Sequence, residues 1–167
     1  MNIFFKMKGA YKRSAMIADT NNSEYDEYDA FLDFTILSDP KMKFEISKGK
    51  KPFDIIQLRY DGFNFLISEN VKNILDENMV SGWKSHPAAV KGLDKAYYSF
   101  HTTGKAGEIL NKEEHLHPYP PPIQFDIDTW DGSDIFNLKD TANIICTERV
   151  KDLLEHAKIT NLEFSDL

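Results

Sequence analysis

The amino-acid sequence predicts an α+β fold in which two related β-β-α units contribute to a mainly antiparallel sheet system, with their helices packed on it. Two observations predict this. Residues 61–83 recur without a gap as residues 140–162, with six of the 23 positions identical: Asp61/Asp140, Asn64/Asn143, Glu69/Glu148, Val71/Val150, Lys72/Lys151 and Leu75/Leu154. Each copy also changes from strand-like apolar runs to helical spacing at a Ser or Thr followed by Glu. The copies share a cap, an apolar stripe and a turn, and no pair of reactive groups recurs in a catalytic spacing. The repeat is therefore read as scaffold.

Residues 3–8 are apolar-rich and predict a first strand, ended by Gly9. Residues 19–29 (DTNNSEYDEYD) read as a polar, acidic surface loop. The Phe, Thr and Ile content of 31–37 predicts a strand, stopped by Ser38-Asp39-Pro40. Lys41, Lys43, Lys48, Lys50 and Lys51 make 41–51 a basic stretch around a short strand at 44–46. In the first unit, 53–59 is a strand, Tyr60-Asp61-Gly62 a hairpin turn and 63–67 its partner. Ser68 is the N-cap of a helix over 69–78, with Glu69 beside the positive helix end. Val71, Ile74, Leu75 and Asn78/Met79 give its apolar stripe. Gly82 supplies the left-handed turn into Trp83.

Between the units, 96–103 (AYYSFHTT) is a strong strand pattern, 104–107 a turn, and 108–117 carries no decisive period. Pro118-Tyr119-Pro120-Pro121-Pro122 suits an extended connection, and 123–127 alternates as a further strand. The second unit repeats the grammar. Residues 134–138 match 54–58, 142–146 form the partner strand, Thr147 is the cap, and Val150, Leu153, Leu154 and Ala157 stripe a helix over 148–157. Asn161 replaces Gly82, and Asn is the residue after Gly most tolerant of a left-handed conformation. The chain is expected to form one domain over 1–167. The alternative is a subdivision into 1–91 and 92–167, carrying the related units at 53–87 and 133–167.

Composition narrows the function classes. The net charge is −7, of which 126–167 contributes −6 from four basic and ten acidic residues. That sign argues against nucleic-acid binding and favours a cationic partner. No apolar run approaches the roughly 20 residues of a membrane helix, and the lysines within the first residues argue against a signal peptide. Cys146 is the only cysteine, so no internal disulfide forms and a reduced, cytoplasmic setting is expected. It aligns with Ile67 in an apolar strand, the place of a packed thiol rather than a nucleophile.

Asp134-Ile135-Phe136-Asn137-Leu138, then the run from Ile144 through Thr147-Glu148 to Leu154, then Ile159-Thr160-Asn161-Leu162-Glu163-Phe164, resembles the C-terminal pattern of bacterial polymorphic-toxin immunity proteins, the immunity protein 11 type and its relatives. The resemblance covers about the last 35 residues, is weaker over 53–87 and is negligible before Asp39. Asn137 departs from the family's usual basic residue, and Asn161 stands where Gly is commoner. The resemblance implies a cytoplasmic, non-enzymatic protein without a cofactor that binds a cognate toxin domain and blocks its active site or assembly.

Two segments fit such a partner surface. Glu24, Tyr25, Asp26, Glu27, Tyr28 and Asp29 interleave carboxylates with rigid aromatic area. Asp126, Asp128, Trp130 and Asp131 cluster in a second acidic turn, whose spacing fails the calcium-loop pattern because Trp130 and Asn137 occupy ligand positions five and twelve. The rival reading is a metal-dependent enzyme. His115 and His117, on one face of a strand, would be joined by His101 or His86, although the pair alone assigns no metal site. A third reading is a non-catalytic structural or regulatory domain. No P-loop, nucleophile elbow or dinucleotide fingerprint is present.

Overall fold

A computed structural model describes residues 3–22, 25–59, 64–116 and 121–167. In chain order the elements are β1 (Phe4–Gly9), β2 (Ile17–Thr20), α1 (Glu27–Leu32), α2 (Phe34–Ser38), β3 (Phe44–Lys48), β4 (Ile55–Leu58), β5 (Phe65–Ser68), α3 (Glu69–Glu77) and β6 (Trp83–Ala88). There follow β7 (Val90–Lys91), β8 (Tyr97–Thr102), β9 (Gly104–Ala106), β10 (Ile135–Leu138), β11 (Ile144–Thr147), α4 (Glu148–His156) and β12 (Leu162–Asp166). The α+β class and the two β-β-α units are as the sequence implies. The hairpin turn expected at Tyr60-Asp61-Gly62 lies outside the described residues.

The strands form a five-stranded sheet, β12-β1-β11-β10-β9, and a seven-stranded sheet, β6-β8-β5-β4-β2-β3-β7. Read from one end, the five-stranded sheet matches the first five strands of the other, including the parallel pairs β10/β9 and β4/β2. The register carries the match to single residues. Gly9 pairs with Leu162 as Thr102 pairs with Trp83, and Leu162 is the repeat counterpart of Trp83. The duplication thus includes β1/β8 and β2/β9, where sequence identity has faded. Each first strand is exchanged: β1 pairs with β11 and β12, and β8 pairs with β5 and β6.

The core follows the same symmetry. One buried cluster takes Ile55, Phe65, Ile67, Val71, Leu75 and Val80 from the first unit and Ile135, Ile144, Cys146, Val150 and Leu154 from the second. The alternate strand residues point to the other side of each sheet. Ile56, Leu58 and Leu66 pack under α1, α2 and β3, while Phe136, Leu138 and Ile145 pack with Ala106 and Ile123. Both sheets are therefore buried on two faces. Truncating Leu75 or Leu154, each no more than 2% exposed, costs about 2–5 kcal/mol.

Several local expectations are corrected. Residues 31–37, read as a strand, lie in α1 and α2, because Asp26 and Asp33 cap helices there. Ile123–Ile127 is not a strand: Phe125 makes one isolated bridge to Ile109, and a 3-10 turn follows at Ile127–Thr129. The helix stripes end a turn earlier than their periodicity suggests. Met79 is 84% exposed and, like its counterpart Lys158, has a left-handed φ, so the chain has already left the helix. The extended tails after both helices are strands β6 and β12. No described helix is long and apolar enough to cross a membrane.

Candidate partner-binding site

The first acidic segment is held by its own carboxylates. Asp26 has extended backbone angles and its Oδ1 accepts from the amides of Tyr28 and Asp29, each at 2.9 Å, which starts α1. Asp33 closes α1 and caps α2, accepting from the Thr35 amide at 2.9 Å and hydroxyl at 2.7 Å. The Thr35 hydroxyl and amide hold Asp33 below the usual carboxylate range. Tyr25 is 6% exposed and packs in the core beneath the Arg59 guanidinium, 4.9 Å from its ring centre, so it is removed from the expected contact surface. Arg59 in turn bonds Asp19 at 2.6 Å.

With Ala30 and Phe31 buried on the inner face of α1, the outward face presents Tyr28, 42% exposed, and Leu32, 59% exposed. They are four residues apart and so lie on one side of the helix. Asp26, Asp29 and Asp33, all exposed, surround them. Glu27 is the first residue of α1, and Glu24 lies outside the described residues.

Phe31 and Leu32 also form one wall of a cleft of about 570 Å³, whose other walls are β8–β9 residues and the end of β10. Its lining includes His101, Thr102, Lys105, Asn137 and Lys139. Burial, reinforced by Lys84 and opposed by Asp33, pushes the His101 imidazole down to about 4, so it is neutral at pH 7. Thr102 Oγ1 and Asn137 Oδ1 are buried without a hydrogen-bond partner. Such groups mark places where an incoming donor would be rewarded. Lys139 is neutralised by Glu108 at 2.8 Å.

The second acidic segment is more structural than its composition suggests. Asp126 caps the 3-10 turn, accepting from the Asp128 amide at 3.1 Å. Asp131 accepts from the amides of Lys105 at 2.8 Å and Ser133 at 3.0 Å, which fastens the turn to β9. Burial alone would raise Asp131, but the Ser133 and Lys105 bonds outweigh it and leave it lowered. Trp130 is half-buried, edge-on to Phe4 at 5.2 Å, and its indole donates to Ser133 O at 3.0 Å. It is a packing residue. Asp128 remains exposed.

His115 sits in a 3-10 turn at Lys112–Leu116 rather than on a strand, and its Nε2 is buried without a partner. His117 lies outside the described residues. Among the described residues no three His, Cys, Asp or Glu side chains are grouped to hold a metal. Cys146 is fully buried, and burial pushes its thiol up to about 12. Leu32, Thr102 and Asn137 carry no site signal in the sequence, and His101 is marked there only as a possible third metal ligand. The alternation of 97–102 does place His101 opposite the buried Phe100, but nothing local brings it to α1.

Comparison with known proteins finds no family model that matches the chain and no characterised protein that does.

Proposed function

We propose that this protein works by binding a cationic protein domain through α1 and the adjoining cleft, and that the bound domain is a cognate bacterial toxin which it neutralises. The observation that carries the reading is the exposed Tyr28–Leu32 pair, an aromatic and an aliphatic anchor ringed by Asp26, Asp29 and Asp33. Apolar anchors inside a rim of charge are the usual composition of an interface centre. The net charge of −7 would speed encounter with a basic partner. The resemblance of 134–164 to immunity proteins supplies the toxin as the partner class.

Co-expression with the toxin domain encoded beside this gene tests the proposal. The expected result is rescue of growth and a complex that survives size-exclusion chromatography. A neighbouring toxin that kills regardless and forms no complex would overturn it.

A further inference from the structure

The symmetry of the two sheets also matches two cavities. The cleft beside α1 contains Asn137; its repeat counterpart, Gln57, lines a separate cavity of about 150 Å³ on the seven-stranded sheet. The residues facing these amides differ in a compensating way. Gly9 stands where the other sheet has Thr102, and a Cβ on Gly9 would meet the Gln57 side chain at 2.7 Å. Glycine on one strand thus makes room for the longer amide on the other.

Gln57 is 1% exposed, and both its Oε1 and its Nε2 lack a hydrogen-bond partner. Ala15, Ile17 and Gln57 form the buried inner lining, and Tyr11, Lys12, Arg13 and Lys48 the exposed mouth. Among the described residues, three cations and no carboxylate line this cavity, in a chain of net charge −7.

The walls are fixed by backbone bonds. Ser14 O accepts from the amides of Lys50 at 3.1 Å and Lys51 at 3.0 Å, and Lys51 O accepts from the Met16 amide at 3.0 Å. Gly49 has a φ of 79°, and a Cβ there would lie 1.8 Å from Ala15 O. The Lys12 amide donates to Asn161 Oδ1 at 3.4 Å, and its ammonium lies over the Phe53 ring. The cavity is therefore preorganised rather than a gap between loose loops.

We infer that this cavity binds inorganic phosphate. A buried carboxamide with both ends unpaired asks for a ligand that accepts from Nε2 and donates to Oε1. Three surrounding cations ask for that ligand to be an anion. Hydrogen phosphate meets both demands, because it keeps one P–O–H donor at neutral pH alongside its acceptor oxygens. Sulfate matches it in size and charge but has no donor, and a carboxylate side chain also has none. The volume admits a small oxyanion and excludes a nucleoside. The site lies apart from the α1 cleft, and this inference does not depend on the toxin reading.

Calorimetric titration of the intact chain with phosphate, sulfate and O-phosphoserine at matched ionic strength tests it. Phosphate is expected to bind about tenfold or more tightly than sulfate, the discrimination lost when one hydrogen bond to a buried group goes unmade. It is also expected to exceed O-phosphoserine, whose phosphate group has largely lost its P–O–H donor at pH 7 and whose serine moiety does not fit the cavity. Gln57→Leu should abolish that preference while the protein stays folded, since leucine removes an unpaired buried amide without emptying its space. The surface change Arg13→Ala should weaken phosphate binding about threefold to tenfold without changing the melting temperature in phosphate-free buffer. Equal binding of sulfate and phosphate, phosphate binding unchanged by Gln57→Leu, or no phosphate heat with the wild-type chain would each overturn the inference. The last would mean that the carboxamide is only hydrated.

Discussion

Asp54 grips Thr160 across 106 residues of sequence: its Oδ2 accepts from the Thr160 amide at 2.9 Å and hydroxyl at 2.7 Å, and the same hydroxyl accepts from the Asp54 amide at 2.8 Å. The counterpart pair repeats the bonds in the opposite sense. Asp134 Oδ2 accepts from the Ser81 amide at 2.9 Å and hydroxyl at 3.1 Å, and Ser81 Oγ accepts from the Asp134 amide at 3.0 Å. Each unit thus clamps the other at the start of its first repeat strand. Arg149 adds a bond to Asp134 at 2.9 Å and reaches the Asn78 carbonyl at the end of α3.

Breaking the Asp54 clamp leaves the part-buried amide and hydroxyl of Thr160 without their acceptor, whereas Ser81, the partner of Asp134, is exposed and can turn to water. Asp54→Ala is expected to cost about 1–3 kcal/mol in denaturant unfolding, and Asp134→Ala less, because water replaces its bonds to Ser81. A double-mutant cycle of Asp54→Ala with Thr160→Val should show clear coupling, whereas Asp54→Ala with Ser81→Ala, on different clamps, should be nearly additive.

The clamps also set an acid limit. Burial alone would raise both carboxylates. Thr160, Ser68 and Asn70 outweigh it at Asp54, and Ser81 and Arg149 do so at Asp134, so both are lowered in the folded state. A depressed folded value means that the stabilisation is complete above the ordinary Asp value of about 4 and disappears as pH falls through the folded value. Chemical denaturation from pH 5 downward should show a falling stability that is shallower in Asp54→Asn.

His101 acts in a separate window. Its imidazole is pushed to about 4 by burial, so the unfolded chain binds a proton that the folded one refuses. Stability should decline as pH drops from about 6.5 toward about 4, and His101→Gln should flatten that segment. Proton NMR of His101 should show no titration above pH 5.

Helix capping differs between the units although the sequence repeats. Ser68 Oγ accepts from the Val71 amide at 3.3 Å and donates to Asp54 at 2.7 Å. Thr147 has the same extended backbone but makes no cap bond, and its hydroxyl is buried without a partner. Ser68→Ala should cost about 1–2 kcal/mol in thermal or denaturant unfolding, while Thr147→Val should be neutral or stabilising.

The Gly82/Asn161 exchange has a comparable asymmetry. A Cβ on Gly82 would lie 1.9 Å from Ile135 O, whereas Asn161 uses its side chain, donating to Ile55 O at 2.9 Å. Gly82→Asn, which copies the second unit into the first, is expected to destabilise by about 3 kcal/mol or more in denaturant melts, and Asn161→Gly by about 1 kcal/mol.

What was legible in the sequence follows from how local each cause is. The α3 and α4 stripes, the Ser68 cap position and the left-handed turns at Gly82 and Asn161 depend on neighbours within a few residues, and all are present. Residues 31–37 misled because their Phe, Thr and Ile content suits a strand, while Asp26 and Asp33 offer caps that start helices first. The strand exchange of β1 and β8 was hidden, since register between distant strands leaves no period in either one. The candidate site was half visible: the acidic run was marked, but Tyr25 turned inward and the cleft wall came from β8–β10, far along the chain.

The most direct measurement of the central claim is the affinity of the purified protein for the toxin domain encoded beside it, compared with that of a Tyr28→Ala, Leu32→Ala variant. Both side chains point to solvent, so the variant should melt like the wild type. A 1:1 complex is expected, weakened by about a hundredfold in the variant, as loss of two central anchors would require. An unchanged affinity would contradict the placement of the interface on α1, and the absence of any complex would contradict the function.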